Sequence, residues 1–349
     1  MSILFAGGGT LGSLHPLLAV AQELRSRNAN VKSIFWTTRK PLEQRLVAEA
    51  GFDSHPIVAG KFRRYFSLWN VVDIFAIVAG FFIALSRLAV QRPAIIMSAG
   101  SFVAVPVHVA AWLLRIPTVV YQQDAQLGLA NRLMAPLATV RAATTTNRLK
   151  LFKQSAVVTG FALRPDLATG NAAKIRQRYG LDPAWKTLLV IGGSSGAQHL
   201  NELVIQGLSH YPQQLNIIHI AGVGKTVPTQ RPGYKQLAFT NADLPDLYAV
   251  ADLVLCRAGS NVLAEVLALG KPCIIVPLPH THQEQNAREL ATAGARTFHE
   301  ADLTPAALTN HIRAALSDAA FMASASEKSQ NGLPVDGAAQ LANILLTYL

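Results

Sequence analysis

The stretch Ile3-Leu-Phe-Ala-Gly-Gly-Gly-Thr-Leu-Gly12 is an apolar, strand-like run that ends in glycines and leads into a helical pattern over residues 15–24. The stretch Leu188-Leu-Val-Ile-Gly-Gly-Ser-Ser-Gly-Ala197 repeats this order in the second half of the chain. A glycine turn at such a junction presents backbone N–H groups at the positive end of a helix dipole, which favours phosphate binding. Two such turns predict an α/β protein with two doubly wound, Rossmann-like domains and a ligand cleft between them.

Strand-like and helix-like patterns alternate along all 349 residues, a length that fits two domains better than one. Thr159-Gly160 and Pro165 interrupt the alternation, so we expect an N-terminal domain over residues 1–160 and a C-terminal domain over 161–349. The last segment, 337–349, is amphipathic and is a candidate to pack back on the N-terminal domain. The predicted strands span residues 3–6, 31–37, 94–98 and 118–121, then 187–191, 216–221, 236–239, 253–256 and 273–276.

The net charge of +11 is concentrated in the first half of the chain. Residues 1–164 hold 18 of the 31 Lys and Arg residues but only 6 of the 20 Asp and Glu residues. This imbalance indicates that the first half faces an anionic partner, either nucleic acid or anionic lipid. No nucleic-acid-binding module is recognisable, so we expect no nucleic acid partner and favour lipid.

One segment of the first half combines basic, aromatic and apolar residues. Lys61-Phe-Arg-Arg-Tyr-Phe-Ser-Leu-Trp-Asn70 precedes an apolar run of twelve residues, 74–85. That run is too short to span a bilayer, which needs about 20 residues, but it suits a helix lying in the membrane interface. A buried core helix is the alternative interpretation. The membrane at this surface is predicted to contain anionic lipid. The residues predicted to face it are Lys61, Phe62, Arg63, Arg64, Phe66, Trp69, Phe75, Phe81 and Phe82.

The spacing of Gly7, Gly9 and Gly12 also matches the G-x-G-x-x-G pattern of dinucleotide-binding proteins. The acidic residue expected after the second strand is missing, because that strand leads into Thr38-Arg39-Lys40. An NADP-dependent Rossmann oxidoreductase that uses Arg39 for the 2′-phosphate is therefore a minor alternative.

A third strand–turn–helix pattern lies in the second half, at Cys256-Arg-Ala-Gly-Ser-Asn-Val-Leu-Ala-Glu265. Its turn, Ala258 to Ser260, would present N–H groups to a diphosphate, and the Glu265 carboxylate could accept both hydroxyls of a ribose. Two histidines follow the next strand, but no carboxylate or thiolate cluster accompanies them, so we predict no metal and no cofactor.

The chain resembles the MurG family of peripheral membrane glycosyltransferases, which convert lipid I to lipid II in peptidoglycan synthesis. The resemblance covers nearly the whole chain in family order. The matching blocks are Gly7-Gly-Gly-Thr10, Pro16-Leu-Leu-Ala-Val-Ala21, Arg63-Arg-Tyr-Phe66, Gly128-Leu-Ala-Asn-Arg132, Gly192-Gly-Ser-Ser-Gly-Ala197, Leu200-Asn201, Cys256-Arg-Ala-Gly259, Glu265 and Gln283-x-x-Asn286-Ala287.

The resemblance implies a GT-B fold and a metal-independent, inverting N-acetylglucosaminyltransferase at the cytoplasmic face of the bacterial cell membrane, with roles in cell shape and division. The second domain would bind UDP-GlcNAc and the first the undecaprenyl-diphosphate-linked MurNAc-pentapeptide. The implied donor residues are Arg164, Ser194, Ser195, Gly196, Ala258, Gly259, Ser260, Glu265, Gln283 and Asn286, with uracil against the backbone of residues 240–244. The implied acceptor residues are Gly8, Gly9, Thr10, Ser13, Gly100, Ser101, Gln123, Asp124 and Asn131.

The sequence departs from the family's pattern where a general base is expected. The family carries a histidine at the position of Ser13, and it carries Glu-Gln-Asn where this chain has Gln122-Gln123-Asp124. A serine hydroxyl is not a base near neutral pH without a partner. We therefore predict Asp124 as the base, with His15 as the alternative; Asp124 could also only orient the acceptor. Two other functions remain open: a related transferase with another lipid acceptor, and a binding protein without turnover.

Overall fold

The computed structural model describes residues 1–27, 30–60, 69–192, 197–291, 294–323 and 335–349, with the backbone alone at 69–74 and 290. The chain folds into two compact units. The first comprises Met1–Pro165 with Pro334–Leu349, and the second comprises Asp166–Leu333.

The first unit is built on a seven-stranded parallel sheet with the order β3-β2-β1-β4-β5-β6-β7. Strands β1, β2 and β3 follow one another toward one edge of the sheet, and strands β4 to β7 follow one another toward the other edge. This reversal puts a topological switch point between β1 and β4, and ligands of doubly wound sheets bind at the carboxyl ends of strands at such points. The strands are β1 Ser2–Ala6, β2 Lys32–Thr37, β3 Asp53–Pro56, β4 Ile95–Ser98, β5 Thr118–Gln122, β6 Val140–Ala143 and β7 Val157–Val158.

Helices connect the strands of this sheet and bury their apolar residues against it. Strand β1 is buried on both sides of the sheet, as expected for a parallel sheet that is covered on both faces. Phe5 in β1 lies opposite Phe35 in β2, and the two rings stack with centroids 5.0 Å apart. The helices are α1 Leu11–Arg27, α2 Pro41–Glu49, α3 Trp69–Gln91, α4 Ala104–Leu113, α5 Leu129–Met134 and α6 Thr146–Leu149.

The second unit repeats this plan with a six-stranded parallel sheet in the order β10-β9-β8-β11-β12-β13. Its switch point lies between β8 and β11, so the second glycine turn and the turn at 258–260 follow neighbouring strands. The strands are β8 Lys186–Ile191, β9 Leu215–Ile220, β10 Tyr234–Leu237, β11 Leu253–Cys256, β12 Cys273–Ile275 and β13 Arg296–Thr297. The helices are α7 Ala172–Tyr179, α8 Gln198–Gln206, α9 Leu244–Val250, α10 Ser260–Ala268, α11 His282–Ala291 and α12 Pro305–Ser317.

The final helix, α13 Gly337–Leu346, belongs to the first unit, where it packs against α1. Arg27 at the end of α1 donates a 2.6 Å hydrogen bond to the side-chain oxygen of Asn343. The N–H of Gly337 donates to the carbonyl of Phe161 at 3.0 Å, and a Cβ at Gly337 would collide with the backbone of residues 160–161. Only glycine therefore allows α13 to begin so close to this segment.

The predicted class, two doubly wound α/β domains, is confirmed. The structure adds strands β3, β6, β7 and β13, which the sequence does not predict. Strand β3 has the sequence Asp-Ser-His-Pro and is mostly exposed, so it carries no apolar signal. Strands β7 and β13 are two residues long, too short for a hydrophobic period to be read.

Candidate active site

The first glycine turn follows β1 and leads into α1. Gly8 and Gly9 have φ angles of 142° and 82°, which side-chain-bearing residues rarely adopt. A Cβ at Gly9 would also overlap the ring of Phe102. The turn is held by two buried hydroxyls, because Ser101 Oγ donates to the Gly8 carbonyl at 2.8 Å and Ser13 Oγ donates to the Thr10 carbonyl at 3.1 Å.

A carboxylate of the chain itself contacts this turn. The N–H of Gly9 donates to Glu43 Oε1 at 2.7 Å, and Thr38 Oγ1 donates to Glu43 Oε2 at 2.7 Å. Glu43 is buried on α2, and the Lys40 ammonium lies 4.0 Å from it and also donates to the Gly9 carbonyl. A diphosphate could reach the Gly9 N–H only if Glu43 moved. No sequence pattern singles out this residue, because a glutamate in the first turn of a helix is ordinary.

The loop after β5 lies beside the first glycine turn. Gln123 Nε2 donates to the carbonyl of Gly12 at 3.2 Å. Gln122 Nε2 donates to the Asp124 carbonyl at 2.7 Å, and its Oε1 accepts from Asn131 Nδ2 at 2.7 Å. Three amide side chains therefore fix the backbone on either side of the half-buried Asp124. Asn131 is itself buried, so its amide supports this loop from the interior of the first unit.

His15 lies on α1, two residues beyond Ser13. Its Nε2 is buried and has no hydrogen-bond partner among the described residues. Burial, and then the positive charge of Arg164, lower the pKa of His15 to about 4. The imidazole is therefore neutral at physiological pH and has a lone pair available, but it is a weak base.

In the second unit, the turn between β11 and α10 is tied to the start of α11. Asn286 Nδ2 donates to the Ala258 carbonyl at 3.0 Å and to Ser260 Oγ at 3.2 Å. Gly259 is the N-cap residue of α10. The structure thus brings together four of the predicted donor residues, Ala258, Gly259, Ser260 and Asn286, at the positive end of a helix dipole.

Glu265 lies on α10 and is buried. Its Oε2 accepts a 2.7 Å hydrogen bond from the hydroxyl of Tyr248, on α9. Burial, and then the negative charge of Glu265, raise the pKa of Tyr248 well above its usual value, so the hydroxyl remains a donor. Sequence reasoning found Glu265 but missed Tyr248, which lies in an apolar helical pattern that gives no functional signal.

Gln283 and Arg257 shape the loop that follows β12. Gln283 Oε1 accepts from the N–H of Leu278 at 3.1 Å, which folds the loop onto the start of α11. Arg257 Nη1 donates to the Val276 carbonyl at 3.1 Å, and Arg257 also forms a buried ion pair with Glu300. These contacts hold the ends of β11 and β12 together next to the 258–260 turn.

Ser194, Ser195 and Gly196 of the second glycine turn lie outside the described residues. Just before them, a Cβ at Gly192 would lie 2.9 Å from the backbone nitrogen of Ala197, so the chain enters α8 too tightly for a side chain there. Gly100, after β4, has a φ of 85° and faces Asn131, which a Cβ at Gly100 would meet at 3.6 Å.

Helix α3 has one buried and one exposed apolar face. Ala84 and Leu88 are fully buried, whereas Phe75 and Phe82 are 70% and 61% exposed. Phe81, in contrast to its prediction as a membrane-facing residue, is half-buried against the core and contacts Phe82 edge to face. The side chain of Trp69 and all of Lys61, Phe62, Arg63, Arg64 and Phe66 lie outside the described residues.

Two further apolar residues are exposed on α4, which packs against α3. Trp112 and Leu113 are each more than half exposed, and the sequence does not predict them as surface residues because they end a uniformly apolar helix. Within the part of the chain that the structure describes, no helix has the length and apolar content needed to cross a bilayer.

Comparison with known proteins defines the class. Residues 3–142 match the model of the glycosyltransferase family 28 N-terminal domain, and residues 187–341 match that of the family 28 C-terminal domain. Among solved structures, a crystal structure of Acinetobacter baumannii MurG aligns with a TM-score of 0.71 at 24% identity, covering 99% of both chains. A glycotransferase of kitacinnamycin aligns with a TM-score of 0.76 at 17% identity, covering 100% of this chain and 99% of that one. The fold is that of a family 28 glycosyltransferase.

Sequence relatives define the family more narrowly. A Clostridium botulinum (strain Langeland) protein is 38% identical over 279 residues, which is 79% of this chain and 78% of that protein. A Legionella pneumophila (strain Lens) protein is 38% identical over 295 residues, 82% and 81% of the two chains. Both are named UDP-N-acetylglucosamine–N-acetylmuramyl-(pentapeptide) pyrophosphoryl-undecaprenol N-acetylglucosamine transferase. The chain belongs to this family, the MurG family, and the resemblance seen in the sequence is confirmed.

Proposed function

We propose that the protein transfers GlcNAc from UDP-GlcNAc to the C4 hydroxyl of undecaprenyl-diphosphate-linked MurNAc-pentapeptide, converting lipid I to lipid II in peptidoglycan synthesis. The observation that carries this proposal is 38% identity, over about four fifths of the chain, to proteins named for this reaction. The arrangement of donor residues at the carboxyl ends of β11 and β12 supports it, because doubly wound sheets bind ligands there.

The donor is proposed to bind in the second unit. The turn at 194–196 and the turn at 258–260 would contact the diphosphate, whose negative charge the N-terminus of α10 stabilises. Glu265 would accept hydrogen bonds from the ribose, and uracil would lie against the backbone of residues 240–244. Gln283 and Asn286 would contact the sugar hydroxyls, and Arg164 would lie near the nucleotide.

The acceptor is proposed to bind in the first unit, around the first glycine turn and the loop after β5. Gly8, Gly9, Thr10, Ser13, Gly100, Ser101, Gln123 and Asn131 form or support this region. The contact between Gln123 and Gly12 supports the proposal, because it keeps Asp124 close to the turn that carries Ser13. Contact of the acceptor diphosphate with Gly9 would require displacement of Glu43.

The reaction is proposed to invert the anomeric carbon without a metal ion. The C4 oxygen of the acceptor attacks the anomeric carbon of GlcNAc from the face opposite UDP, and the bond from that carbon to the diphosphate oxygen breaks. A general base takes the hydroxyl proton as the new bond forms. Asp124 is our choice for this base, because it supplies a carboxylate where the family carries an amide; His15 is the alternative.

Attachment to the cytoplasmic face of the cell membrane is proposed for the α3 region. The exposed face of α3 would insert apolar side chains among the lipids, and the basic residues of the 61–64 segment would contact anionic headgroups. The exposed phenylalanines Phe75 and Phe82 support this proposal. The reaction would thereby serve wall growth, cell shape and division.

Acceptor selectivity tests the proposed substrate. The protein should transfer labelled GlcNAc to a lipid diphosphate that carries MurNAc-pentapeptide, and not to the same lipid diphosphate that carries GlcNAc. Equal transfer to both would favour the alternative of a related transferase with a different lipid acceptor.

A further inference from the structure

Tyr248, on α9, is a buried tyrosine whose hydroxyl contacts a carboxylate of the proposed donor site. It donates a 2.7 Å hydrogen bond to Oε2 of Glu265, on α10. Tyr248 is 0% exposed and Glu265 is 6% exposed, so water competes little for either end of this bond. A hydrogen bond to an ionised group in such surroundings is about twice as strong as a bond between neutral groups.

The surroundings of Tyr248 fix its protonation state. Burial and the neighbouring carboxylate raise the pKa of Tyr248 well above its usual value, so the tyrosine keeps its proton. It therefore acts as a donor toward Glu265 at any pH at which the protein works. A carboxylate has two oxygens, so a donor fixed on Oε2 determines the direction in which Oε1 is presented. The Tyr248 hydroxyl therefore favours one orientation of the buried Glu265 side chain.

The bond also links two elements of the donor site. Helix α9 begins at Leu244, the last residue of the backbone segment proposed to contact uracil. Helix α10 begins at Ser260, in the turn proposed to contact the diphosphate, and carries Glu265. The Tyr248–Glu265 bond therefore joins the helix that follows the base segment to the helix that carries the ribose ligand.

We propose that Tyr248 is a positioning residue, which orients the Glu265 carboxylate so that it accepts hydrogen bonds from the ribose hydroxyls of the donor. The proposal rests on the proposed role of Glu265. Tyr248 itself does not touch the nucleotide in this account; it acts through the carboxylate.

The test compares the affinities of the full-length protein for UDP and for 2′-deoxy-UDP by calorimetry. The unaltered protein should prefer UDP. Tyr248→Phe should weaken UDP binding about tenfold and 2′-deoxy-UDP binding by a smaller factor, because the deoxy nucleotide offers Glu265 one ribose hydroxyl instead of two. The KM for UDP-GlcNAc should rise by a similar factor, while kcat stays within about twofold.

Tyr234→Phe is the matched control, since it removes another buried hydroxyl of the same unit, 2.9 Å from Nδ1 of His219. It should lower the melting temperature and keep the full preference for UDP. If Tyr248→Phe behaves in the same way while Glu265→Gln loses the preference, Tyr248 has only a structural role and the inference is overturned, with the proposed function intact. If the unaltered protein binds both nucleotides equally, the ribose role of Glu265 is wrong and the inference falls with it.

Discussion

Asp124 and His15 are two candidate bases that differ in chemistry and surroundings. Asp124 lies half-buried in a loop fixed by amide side chains, and His15 lies half-buried on α1 with its pKa lowered to about 4. Asp124→Asn keeps the shape of the side chain and removes its ability to accept a proton. It should lower kcat by at least about 10²-fold, with little change in the KM for UDP-GlcNAc.

His15→Ala serves as the comparison in the same steady-state assay. With Asp124 as the base, His15 takes no proton in the reaction, so this variant should keep most of its kcat. Near-normal turnover by Asp124→Asn together with loss of turnover by His15→Ala would assign the base to His15 and refute our choice.

The site could be predicted only in part from the sequence. Ala258 and Ser260 were found from the strand–turn–helix pattern and Asn286 from its match to the family, and the structure brings them into contact. Glu43 and Tyr248 could not be found, because each acts through side-chain hydrogen bonds to residues that no sequence motif links to it. Such a pair leaves no period or motif in a single chain.

At the scale of elements, the close packing of α3 against the backbone at Val58 depends on Gly80. A Cβ at this position would collide with the carbonyl oxygen of Val58, a backbone atom that cannot rotate away. Gly80→Ala should therefore lower stability by roughly 1–3 kcal/mol through overpacking, despite the better helix propensity of alanine. Gly128→Ala is the control, since a Cβ there would meet nothing within 4 Å. Thermal melting should show a clear loss for the first variant only; equal effects would contradict this packing account.

The exposed face of α3 predicts how the protein binds lipid. Phe75→Ser with Phe82→Ser should reduce sedimentation with both neutral and anionic liposomes, because it removes apolar area that would enter the membrane. Replacing Lys61, Arg63 and Arg64 with Gln should reduce sedimentation with anionic liposomes only, since each basic residue contributes about 1 kcal/mol near an anionic surface.

Val157→Ser with Val158→Ser is the control for the liposome experiment, because these exposed valines lie on β7 and not on α3. This variant should bind liposomes normally. Unchanged sedimentation of the phenylalanine variant, or equal loss by the valine variant, would contradict a membrane-binding role of α3.

Helices and strands could be predicted from the sequence where a single hydrophobic period dominated the segment. Helix α3 spans Trp69–Gln91, although the apolar run indicated only residues 74–85, because the helix continues through the polar residues Asp73 and Ser86-Arg87 that bound that run. The sequence left open whether that run forms a core helix or an interfacial helix. The described side chains fit both readings, since one face is buried and the other is exposed.

At the scale of the whole molecule, three histidines with lowered pKa values predict the response to acid. Burial lowers the pKa values of His15 and His219 to about 4 and that of His108 to about 3. In the unfolded chain these groups take up protons below about pH 6.5, whereas the folded protein holds them neutral. Stability should therefore be highest above pH 6.5 and fall as the pH drops toward 4, by about 1.4 kcal/mol per pH unit for each histidine.

Urea unfolding between pH 7.5 and 4.5 checks this prediction. His108→Leu should flatten the profile, because neither ring nitrogen of His108 has a hydrogen-bond partner within the described residues and leucine suits its fully buried position. A profile that is unchanged by this substitution, or that is flat in the unaltered protein, would contradict the account of the three histidines.

The two-domain plan follows from features that recur along the chain. Glycine turns after β1 and β8, and alternating strand and helix patterns, were enough to predict two doubly wound sheets. The carboxyl-terminal helix is different, because its amphipathic pattern shows that it packs but not against what. The short contact between Gly337 and Phe161 depends on chain segments about 175 residues apart, which no local pattern encodes.

The central claim is that this chain, with serine at the position of the family's histidine, catalyses sugar transfer. Incubation of the purified protein with labelled UDP-GlcNAc, a lipid I analogue and EDTA tests it most directly. We predict release of one UDP for each GlcNAc transferred, with the new bond at C4 of the muramyl sugar and the anomeric configuration inverted. Tight binding of UDP-GlcNAc without any glycosylated product would contradict the claim and identify a binding protein instead.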